Sequence, residues 1–376
     1  MTNKKIVACF FAFLLISSFL TVTAQKKNKS AAIDCYNLPP VNLNAKKDTV
    51  KTEARLASEE LRKSTIPVSP LNKENLSRAI LVVEEAIKID PTNVDAYLGL
   101  VELHGLTQRY ADVPGDSAEA RAWKYLEKAV SLDPNHAEVA NMLASRSVAK
   151  YDYACAEQLL QRALELKPKN LRAHFNYAQL LGSMGNFEEA FKHVAMSIDA
   201  DSAARMNNVY NSGRLRYMAH QYDWVLNHYQ KFSETYPKAN LWLAHFYMGL
   251  AYAEKKQFQE ALKEQQLATP SWKGDAGAVA NLGRAYAQAG YLDTARQILT
   301  ELIGRNARGE WVVQYQIATV YEALGEVDEA FKWLNKEVDK GGGFGGWVIW
   351  LNHDPRWDKL RKDARFKDLV KRAGLK

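Results

Sequence analysis

Cysteine is scarce in this sequence. The 376 residues contain three cysteines, Cys9, Cys35 and Cys155. With so few, the chain cannot be one of the small secreted domains that a disulfide framework holds together. Cys155 stands at the start of a predicted helix, where buried packing is the expected role. A bridge between Cys35 and Cys155 stays open as the alternative.

The sequence also lacks the motifs that identify most enzymes and metal sites. It has no His-Glu-x-x-His, no close Cys/His cluster and no Gly-x-Ser-x-Gly. The most notable histidine pair, His220 and His228, has no third ligand nearby in the sequence. The glycine-rich stretch 341–346 is followed by no Gly-Lys-Ser/Thr, so it does not predict a phosphate loop. We therefore expect no catalytic residues, no metal and no cofactor.

Long apolar runs are missing too, except at the N-terminus. There, Lys4 and Lys5 precede the apolar residues 6–20, and Val22-Thr23-Ala24 follows with small residues at a cleavage site. The run is shorter than the roughly 20 residues of a membrane-spanning helix. The pattern predicts a signal peptide over residues 1–24. We expect an exported protein that is periplasmic, envelope-associated or secreted, with an uncleaved anchor as the open alternative.

The positive charge is confined to the ends of the chain. The formal net charge is +7, but residues 25–51 carry +4, residues 340–376 carry +6, and residues 52–339 carry −5. The main body is therefore mildly acidic, and no nucleic acid partner is expected. Contact with a membrane is expected only through an uncleaved signal segment or through the basic ends.

What the chain does have is an internal repeat. Gly249 and Gly283 are 34 residues apart, and a tyrosine and then an alanine follow each of them at the same offsets. Helix-ending prolines repeat this spacing, since Pro134 and Pro168 are also 34 residues apart. Pro91 lies 43 residues before Pro134, and we assign the nine additional residues to a loop around 111–116. Such a period predicts an all-α solenoid of stacked helical hairpins.

The residues inside the repeat carry a specific resemblance. The recurring pattern is Val279-x2-Leu282-Gly283-x2-Tyr286 with Ala295-x3-Leu299, and Gln314-x2-Ile317-Ala318-x2-Tyr321 with Ala330-x3-Leu334. This resembles the tetratricopeptide repeat, W-x2-L-G-x2-Y followed by A-x3-F, and implies a right-handed superhelical solenoid of antiparallel helix pairs. The repeats begin near Val94, Ala137, Leu171, Met206, Trp242, Ala276 and Trp311.

These observations divide the chain into five parts. After the signal peptide, residues 25–51 read as a flexible basic linker and residues 52–70 as a helical lead-in. Residues 71–344 form the solenoid of about seven to eight repeats, in which 71–93 resemble the second helix of a degenerate first repeat. Residues 345–376 depart from the repeat.

The final part has its own resemblance. The stretch from Asp354 to Phe366 is similar to the end-of-array segment of bacterial tetratricopeptide proteins, D-P-x-F-D-x-L-R-x-D-P-R-F, although Ala364 replaces the second proline. Asp354 and Asp363 are predicted helix N-caps. The resemblance implies capping helices that cover the apolar end of the stack.

The family resemblance also implies where a partner would bind. In this family the first helix of each hairpin lines the concave groove, and its sixth position is occupied here by Asn176, Asn211, Tyr247, Asn281 and Gln316. A primary amide both donates and accepts hydrogen bonds, so a row of them resembles the asparagine ladder that holds extended peptides. Around them stand aromatic, arginine and glutamine residues of the usual binding types: Arg172, Phe175, Gln179, Tyr210, Arg214, Phe246, Arg284 and Tyr315. A merely solvated polar groove is the alternative.

The sequence therefore predicts a protein- or peptide-binding scaffold that uses the concave groove, and not an enzyme. Two alternatives stay open. One is an envelope enzyme or glycan-binding protein with its site in the same groove. The other is a structural assembly factor that works through its basic ends.

Overall fold

The structure is a computed structural model, and it describes residues 38–41, 72–111, 115–197, 212–235, 241–269, 276–310, 312–341 and 346–375. Within these ranges the regular structure is entirely helical, as predicted. The signal peptide, the lead-in, most of the linker and Cys35 lie outside the described residues. No helix of the described ranges is long and apolar enough to cross a membrane.

The described α-helices are numbered α1 to α16. In chain order they are α1 Lys73–Ile89, α2 Val94–Tyr110, α3 Gly115–Leu132, α4 Ala137–Ala149, α5 Tyr153–Leu166, α6 Leu171–Ser183, α7 Phe187–Met196, α8 (212–218), α9 Tyr222–Thr235, α10 Trp242–Glu254, α11 Phe258–Ala268, α12 Ala276–Gln288, α13 Leu292–Ala307, α14 Gln314–Ala323, α15 Val327–Lys340 and α16 Ala364–Arg372.

From α2 onward the helices form antiparallel hairpins. Each even-numbered helix up to α14 packs on the helix that follows it; for α8 this is shown by Gly213, where an added Cβ would overlap the Tyr229 hydroxyl of α9. Five predicted repeat starts are also helix starts, at Val94, Ala137, Leu171, Trp242 and Ala276. In the last hairpin the first helix begins at Gln314, three residues after the predicted start. The predicted array of helix pairs is therefore confirmed for the described residues.

Most of the nine additional residues between Pro91 and Pro134 lie in helices, which corrects the prediction of a loop for that part; residues 112–114 lie outside the described residues. Helix α2 has 17 residues where α4 has 13, and α3 has 18 where α5 has 14. Four residues separate α2 from α3, and three separate α4 from α5. Most of the insertion thus extends the two helices by about one turn each, which keeps their backbone hydrogen-bonded.

Small residues let the helices of the solenoid approach one another. Ala140 of α4, Ala163 of α5 and Ala173 of α6 form one cluster and are completely buried. A Cβ atom on Gly249 would lie 2.6 Å from Gln265, and a Cβ on Gly283 would lie 2.8 Å from Ile298. No larger side chain fits at these glycines unless the side chain of Gln265 or Ile298 moves.

The hairpin turns share one backbone requirement. In six hairpins the turn residue has a positive φ, and three of these residues are the predicted glycines, Gly185, Gly290 and Gly325. The other three are Tyr151, His220 and Lys256, with φ between 58° and 63°. The repeat geometry therefore imposes the left-handed conformation whether or not glycine is present, at a steric cost of about 1–2 kcal/mol for a non-glycine residue.

Beyond the repeats, residues 346–375 form what we call the C-terminal segment. It contains two short 3-10 turns, Val348–Trp350 and Pro355–Trp357, before α16. Asp354 caps the second turn by accepting a hydrogen bond from the Arg356 amide, and Asp363 caps α16 in the same way from Arg365. Both predicted caps are present, although Asp354 caps a 3-10 turn rather than an α-helix.

Candidate functional site

The predicted groove residues lie on the first helices of successive hairpins, α6, α8, α10, α12 and α14. Three of them remain accessible: Arg172 is exposed, and Phe175 and Arg214 are half-buried. Tyr210 and Asn211 lie outside the described residues. The remaining members are buried: Asn176, Gln179, Phe246, Tyr247, Asn281, Arg284, Tyr315 and Gln316.

An open groove was therefore the wrong expectation for most of these positions. The C-terminal segment lies against the groove face. The Trp347 ring stacks on Tyr315 at 6.1 Å and contacts Phe246 at 6.4 Å, measured between ring centroids. A Cβ on Gly182 would lie 2.9 Å from the ring of Trp350, so this tryptophan packs directly on α6. The segment buries its own tryptophans and the face beneath them together.

The segment was predicted to cover only the end of the stack, and it does more. Its last helix, α16, packs on α15 of the last hairpin, with the Arg365 guanidinium 4.1 Å from the Phe331 ring. The residues before α16 instead lie against the first helices of the hairpins, as far back as α6. There Trp347, Trp350 and Trp357 are buried, which removes their large apolar surfaces from water.

A buried ion pair anchors the segment. The Arg356 guanidinium donates two hydrogen bonds to the Asp354 carboxylate from Nε at 2.9 and 3.0 Å, and one from Nη2 at 2.6 Å. The Tyr315 hydroxyl of α14 donates to the same carboxylate at 2.7 Å and accepts from Trp357 Nε1 at 2.6 Å. Both charged side chains have no solvent-exposed area. Removing either partner would leave an uncompensated charge in a dry environment.

Two amides of the predicted ladder accept hydrogen bonds from Arg356. Arg356 Nη1 donates to the side-chain oxygens of Asn281 at 3.4 Å and Gln316 at 3.3 Å. Asn281 also donates to Gln316 at 3.2 Å and to the Gly277 carbonyl at 2.7 Å. These two amides therefore already bind an arginine of their own chain.

Electrostatic interactions keep Asp354 and Arg356 in their charged forms. Burial alone would raise the pKa of the Asp354 carboxyl, but the Arg356 guanidinium and its hydrogen bonds hold that pKa below the ordinary value. Burial raises the pKa of the Tyr315 hydroxyl well above its ordinary value, and the Asp354 carboxylate raises it further. Tyr315 therefore stays a neutral donor to a charged carboxylate.

Towards the N-terminal end of the solenoid, the ladder residue Asn176 forms a hydrogen bond with another buried amide. The Asn176 amide on α6 donates to Asn141 on α4 at 2.8 Å, and Asn141 donates to Glu138 at 2.8 Å. Asn141, which sequence analysis did not single out, is 1% exposed. It is the fifth residue of its repeat, counted from Ala137, whereas the ladder was predicted at the sixth position, so the sequence pattern did not identify it.

An accessible group of charges lies beside these amides, and we call it the charged rim. Arg172 of α6 pairs with Glu102 of α2, and with Glu138 of α4 at 3.1 Å. The side chains of Arg172 and Glu102 are 50% and 36% exposed, and that of Glu138 is 22% exposed. The rim joins the first helices of three successive hairpins and is open to a partner.

Several buried polar groups lie on the helices from α8 to α14. Arg284 of α12 pairs with Glu254 of α10 at 3.4 Å, and the Tyr217 hydroxyl donates to the same carboxylate at 3.0 Å. Burial raises the pKa of Glu322 on α14, although the charges of Arg284 and Lys359 oppose this shift. Lys359 comes from the C-terminal segment, so the segment contributes charge to this edge too.

Sequence analysis missed the residues that occupy the groove. Three of the chain's nine tryptophans fall within residues 347–357, beside Arg356. That density of large aromatic side chains was the available signal, because a solvent-facing cap does not require it. Across the described ranges, no group of three or more His, Cys, Asp and Glu side chains could hold a metal ion.

Cys155 is buried at 4% exposure, as packing predicts, and it is also disulfide-bonded. Cys35, its partner in the predicted alternative, lies outside the described residues.

Comparison with known proteins adds the following. Among solved structures, the chain resembles the APC/C hetero-tetramer Cut9–Hcn1 with 17% identity over 85% of this chain and a TM-score of 0.47, and it spans 58% of that chain. It resembles yeast Tom70 with 14% identity over 90% of this chain and 71% of that chain, at a TM-score of 0.47. It also resembles YrrB, described as a TPR protein with an unusual peptide-binding site, with 18% identity over 55% of this chain and 96% of that one, at a TM-score of 0.31. No curated protein matches the sequence.

Two family models match the sequence itself. Both describe the tetratricopeptide repeat, and they match residues 147–209 and residues 280–343. Each match covers helices already placed in the hairpin array, and the second contains the two repeat copies with the clearest motif. The chain therefore contains tetratricopeptide repeats in both of these regions.

Proposed function

We propose that this protein is an exported scaffold that binds a protein partner through the charged rim and the neighbouring Phe175. The charged rim is the one observation that carries the proposal. It presents both signs of charge on the first helices of three successive hairpins, which are the helices that line the groove in this family. The predicted extended-peptide site on the ladder amides is not part of the proposal, because those amides already have partners.

Physical chemistry favours a protein partner at this surface. Arginine and aromatic side chains are the residue types that contribute most to protein–protein binding energy. An exposed ion pair adds little to folding stability, so breaking it to bind a partner costs little. Complementary charge on the partner would then set the orientation and the rate of association more than the affinity.

Site-specific crosslinking tests the binding surface. A photo-crosslinking residue is placed at Phe175, and at Gln266 on α11 as an exposed control on a second helix of a hairpin. We expect one protein of the native envelope to crosslink at Phe175 and not at Gln266. The substitution Arg172→Ala should abolish that crosslink, whereas Lys263→Ala, also exposed on α11, should not.

Three outcomes would contradict the proposal. Equal crosslinking at both positions would mean that the rim is not the binding surface. No protein adduct at Phe175 would oppose a protein partner, and binding of purified cell-wall glycan fragments in its place would favour the glycan-binding alternative. A partner captured by the chain with Arg172→Ala as well as by the wild type would remove the rim from the site.

Export is part of the proposal and has its own test. We expect cleavage after Ala24, because Val22-Thr23-Ala24 follows an apolar run too short to span a membrane. The measurement is the intact mass of the protein recovered from the cell envelope and from the medium. A mass that still includes residues 6–20 would show a retained anchor, and recovery from the cytoplasm alone would contradict export.

A further inference from the structure

The C-terminal segment contacts the groove face with side chains that specific ligands use. Trp350 and Trp357 are fully buried, and Trp347 is nearly so. The Arg356 guanidinium lies 4.3 Å from the Trp347 ring centroid and 5.4 Å from that of Tyr315. Tryptophan, tyrosine and arginine are the residues that dominate binding energy at protein interfaces.

Polar side chains of the segment form hydrogen bonds with polar side chains of the groove face. From the segment, Asp354, Arg356 and Trp357 each bond to groove residues, and the acceptors or donors on the face are Tyr315, Asn281 and Gln316. Simple apolar cover would not need a buried ion pair, whose desolvation is costly. The arrangement instead selects one side chain at each position, as a recognition site does.

The turn between α4 and α5 and the start of α5 also hold α15 and the C-terminal end of the segment. The Tyr151 hydroxyl, in the turn between α4 and α5, donates to the Val338 carbonyl of α15 at 2.8 Å. The Tyr153 hydroxyl donates to the Ala373 carbonyl, just after α16, at 2.9 Å. A Cβ on Gly374 would lie 2.9 Å from the Tyr151 carbonyl oxygen, so the chain passes this turn in close contact.

From these contacts we propose that residues 346–375 are an intramolecular ligand of the groove, which they occupy in place of any other extended segment. The part of the face that contains Asn281, Tyr315 and Gln316 is then a receptor for a segment that carries an Asp-x-Arg-Trp core. Because the ligand is tethered, its effective concentration is about millimolar, far above that of a competing free peptide. The proposal does not depend on the function proposed for the charged rim.

The experiment separates the ligand from the receptor without removing either. A specific protease site is inserted in the glycine-rich stretch 342–345 of the full chain, and the purified protein is cut. The probe is a fluorescent synthetic peptide of residues 346–376. We expect the cut chain to retain its own fragment through gel filtration and then to exchange it for the probe. The uncut chain should bind the probe at least about 100-fold more weakly.

Matched probes test the anchor. A probe with Arg356→Ala and Trp357→Ala should bind the cut chain about 30-fold or more less tightly than the unchanged probe, as expected when central interface residues are truncated. A control probe with Lys362→Ala and Lys367→Ala, both exposed positions, should bind like the unchanged probe. Equal binding of the anchor probe and the control probe would overturn the proposed recognition.

Other results would also overturn it. If the solenoid unfolds on cutting, judged by circular dichroism, the segment is an inseparable part of the core and not a ligand. If the uncut chain binds the probe as tightly as the cut chain, the groove is not occupied. A second variant provides an independent check: the intact chain with Arg356→Ala and Trp357→Ala should bind the unchanged probe, and failure to do so while folded would contradict the proposal.

Discussion

At the scale of single residues, the most unusual feature is a complete ion pair away from solvent. Asp354 and Arg356 are two residues apart, and both are fully buried between the segment and α14. Such a pair is weak evidence for high stability, because its desolvation offsets its attraction. Both partners belong to the segment, so the position of the segment depends on their hydrogen bonds to Tyr315, Asn281 and Gln316, and a displacement would break these buried bonds.

Substitution of Asp354 by asparagine tests this pair. The change keeps the shape and the capping oxygen but leaves the Arg356 guanidinium without its buried counter-charge. We expect the free energy of unfolding to fall by about 3–5 kcal/mol, measured by urea denaturation. The matched control is Asp363→Asn, which changes an exposed pair with Arg365 and keeps a good helix cap. Similar losses for the two variants would show that burial of the pair does not matter.

Backbone strain gives a prediction in the opposite direction. Lys256 is exposed and has a φ of 62° at a turn where other repeats carry glycine. Replacing it by glycine removes steric strain but adds flexibility to the unfolded chain, so we expect a net stabilisation of about 0.5–1 kcal/mol. The control Lys263→Gly, inside α11, should destabilise by about 1 kcal/mol. Thermal unfolding compares both, and a destabilised Lys256→Gly chain would contradict the prediction.

A buried histidine predicts a dependence on pH. Neither ring nitrogen of His104 has a hydrogen-bond partner among the described residues, and the ring stacks on Tyr125 at 5.4 Å. Burial lowers the pKa of His104, and the charge of Arg121 lowers it further, so the unfolded state binds a proton first as the pH falls. Stability from this residue is therefore lost below about pH 6.5, by up to about 1.4 kcal/mol per pH unit.

The substitution His104→Phe isolates that contribution. We expect the difference in unfolding free energy between variant and wild type to shift in favour of the variant as the pH falls from about 7.5 to about 5.5. Urea denaturation at several pH values measures it. A difference that stays constant over this range would mean that His104 does not titrate on unfolding.

At the scale of elements, hairpin packing depends on small side chains at repeated positions. The alanine cluster joins α4, α5 and α6, and glycines take the same role in later hairpins. Short turns fix the spacing, so a larger side chain cannot be accommodated by sliding one helix along the other. The stack therefore distributes its core along its length, and each interface can fail separately.

Overpacking one such contact should disrupt the array locally. Ala163 is completely buried against Ala140 and Ala173, so Ala163→Trp should cost at least about 1–3 kcal/mol. Gln158→Trp places the same side chain on the exposed surface of α5 and should change stability by less than about 0.5 kcal/mol. Hydrogen exchange should show faster exchange in α4 to α6 for the first variant only. Amide protection equal to that of the wild type would mean that the helices accommodate the tryptophan without loss of stability.

At the scale of the whole molecule, the C-terminal segment connects repeats that are distant in sequence. It contacts α6, α12, α14 and α15, and its C-terminal end contacts the turn before α5 and the start of α5. An ordinary solenoid has contacts only between neighbouring repeats. Here the segment adds contacts between residues up to 220 positions apart, as in the bond from Tyr153 to Ala373.

Deleting residues 346–376 should therefore affect two separate regions. We expect faster amide exchange in α14 and α15, which lose their cover, and also in α6 and the turn between α4 and α5. In the described residues α1 packs on α2 and α2 packs on α3, so we expect both helices to keep their protection, which makes them the internal control. Faster exchange confined to α14 and α15 would mean that the segment is only an end cap.

The sequence by itself determined the repeat architecture. Helix starts such as Ala137 and Ala276, the turn glycines and the small residues at Gly249 and Gly283 all follow from a local pattern that recurs every 34 residues. Helices and tight turns depend on residues within about four positions of each other, so periodicity is sufficient to locate them. The caps at Asp354 and Asp363 were predictable for the same reason.

Only the tertiary structure decided what lies in the groove. The ladder amides Asn281 and Gln316 were placed on the correct face, but nothing local indicates that Arg356, 75 positions after Asn281, binds them. The path of the C-terminal segment depends on whether three tryptophans and a charged pair gain more by packing on the concave face than by covering the stack end. That balance of burial and desolvation involves residues from the whole solenoid, and a repeat pattern contains no information about it.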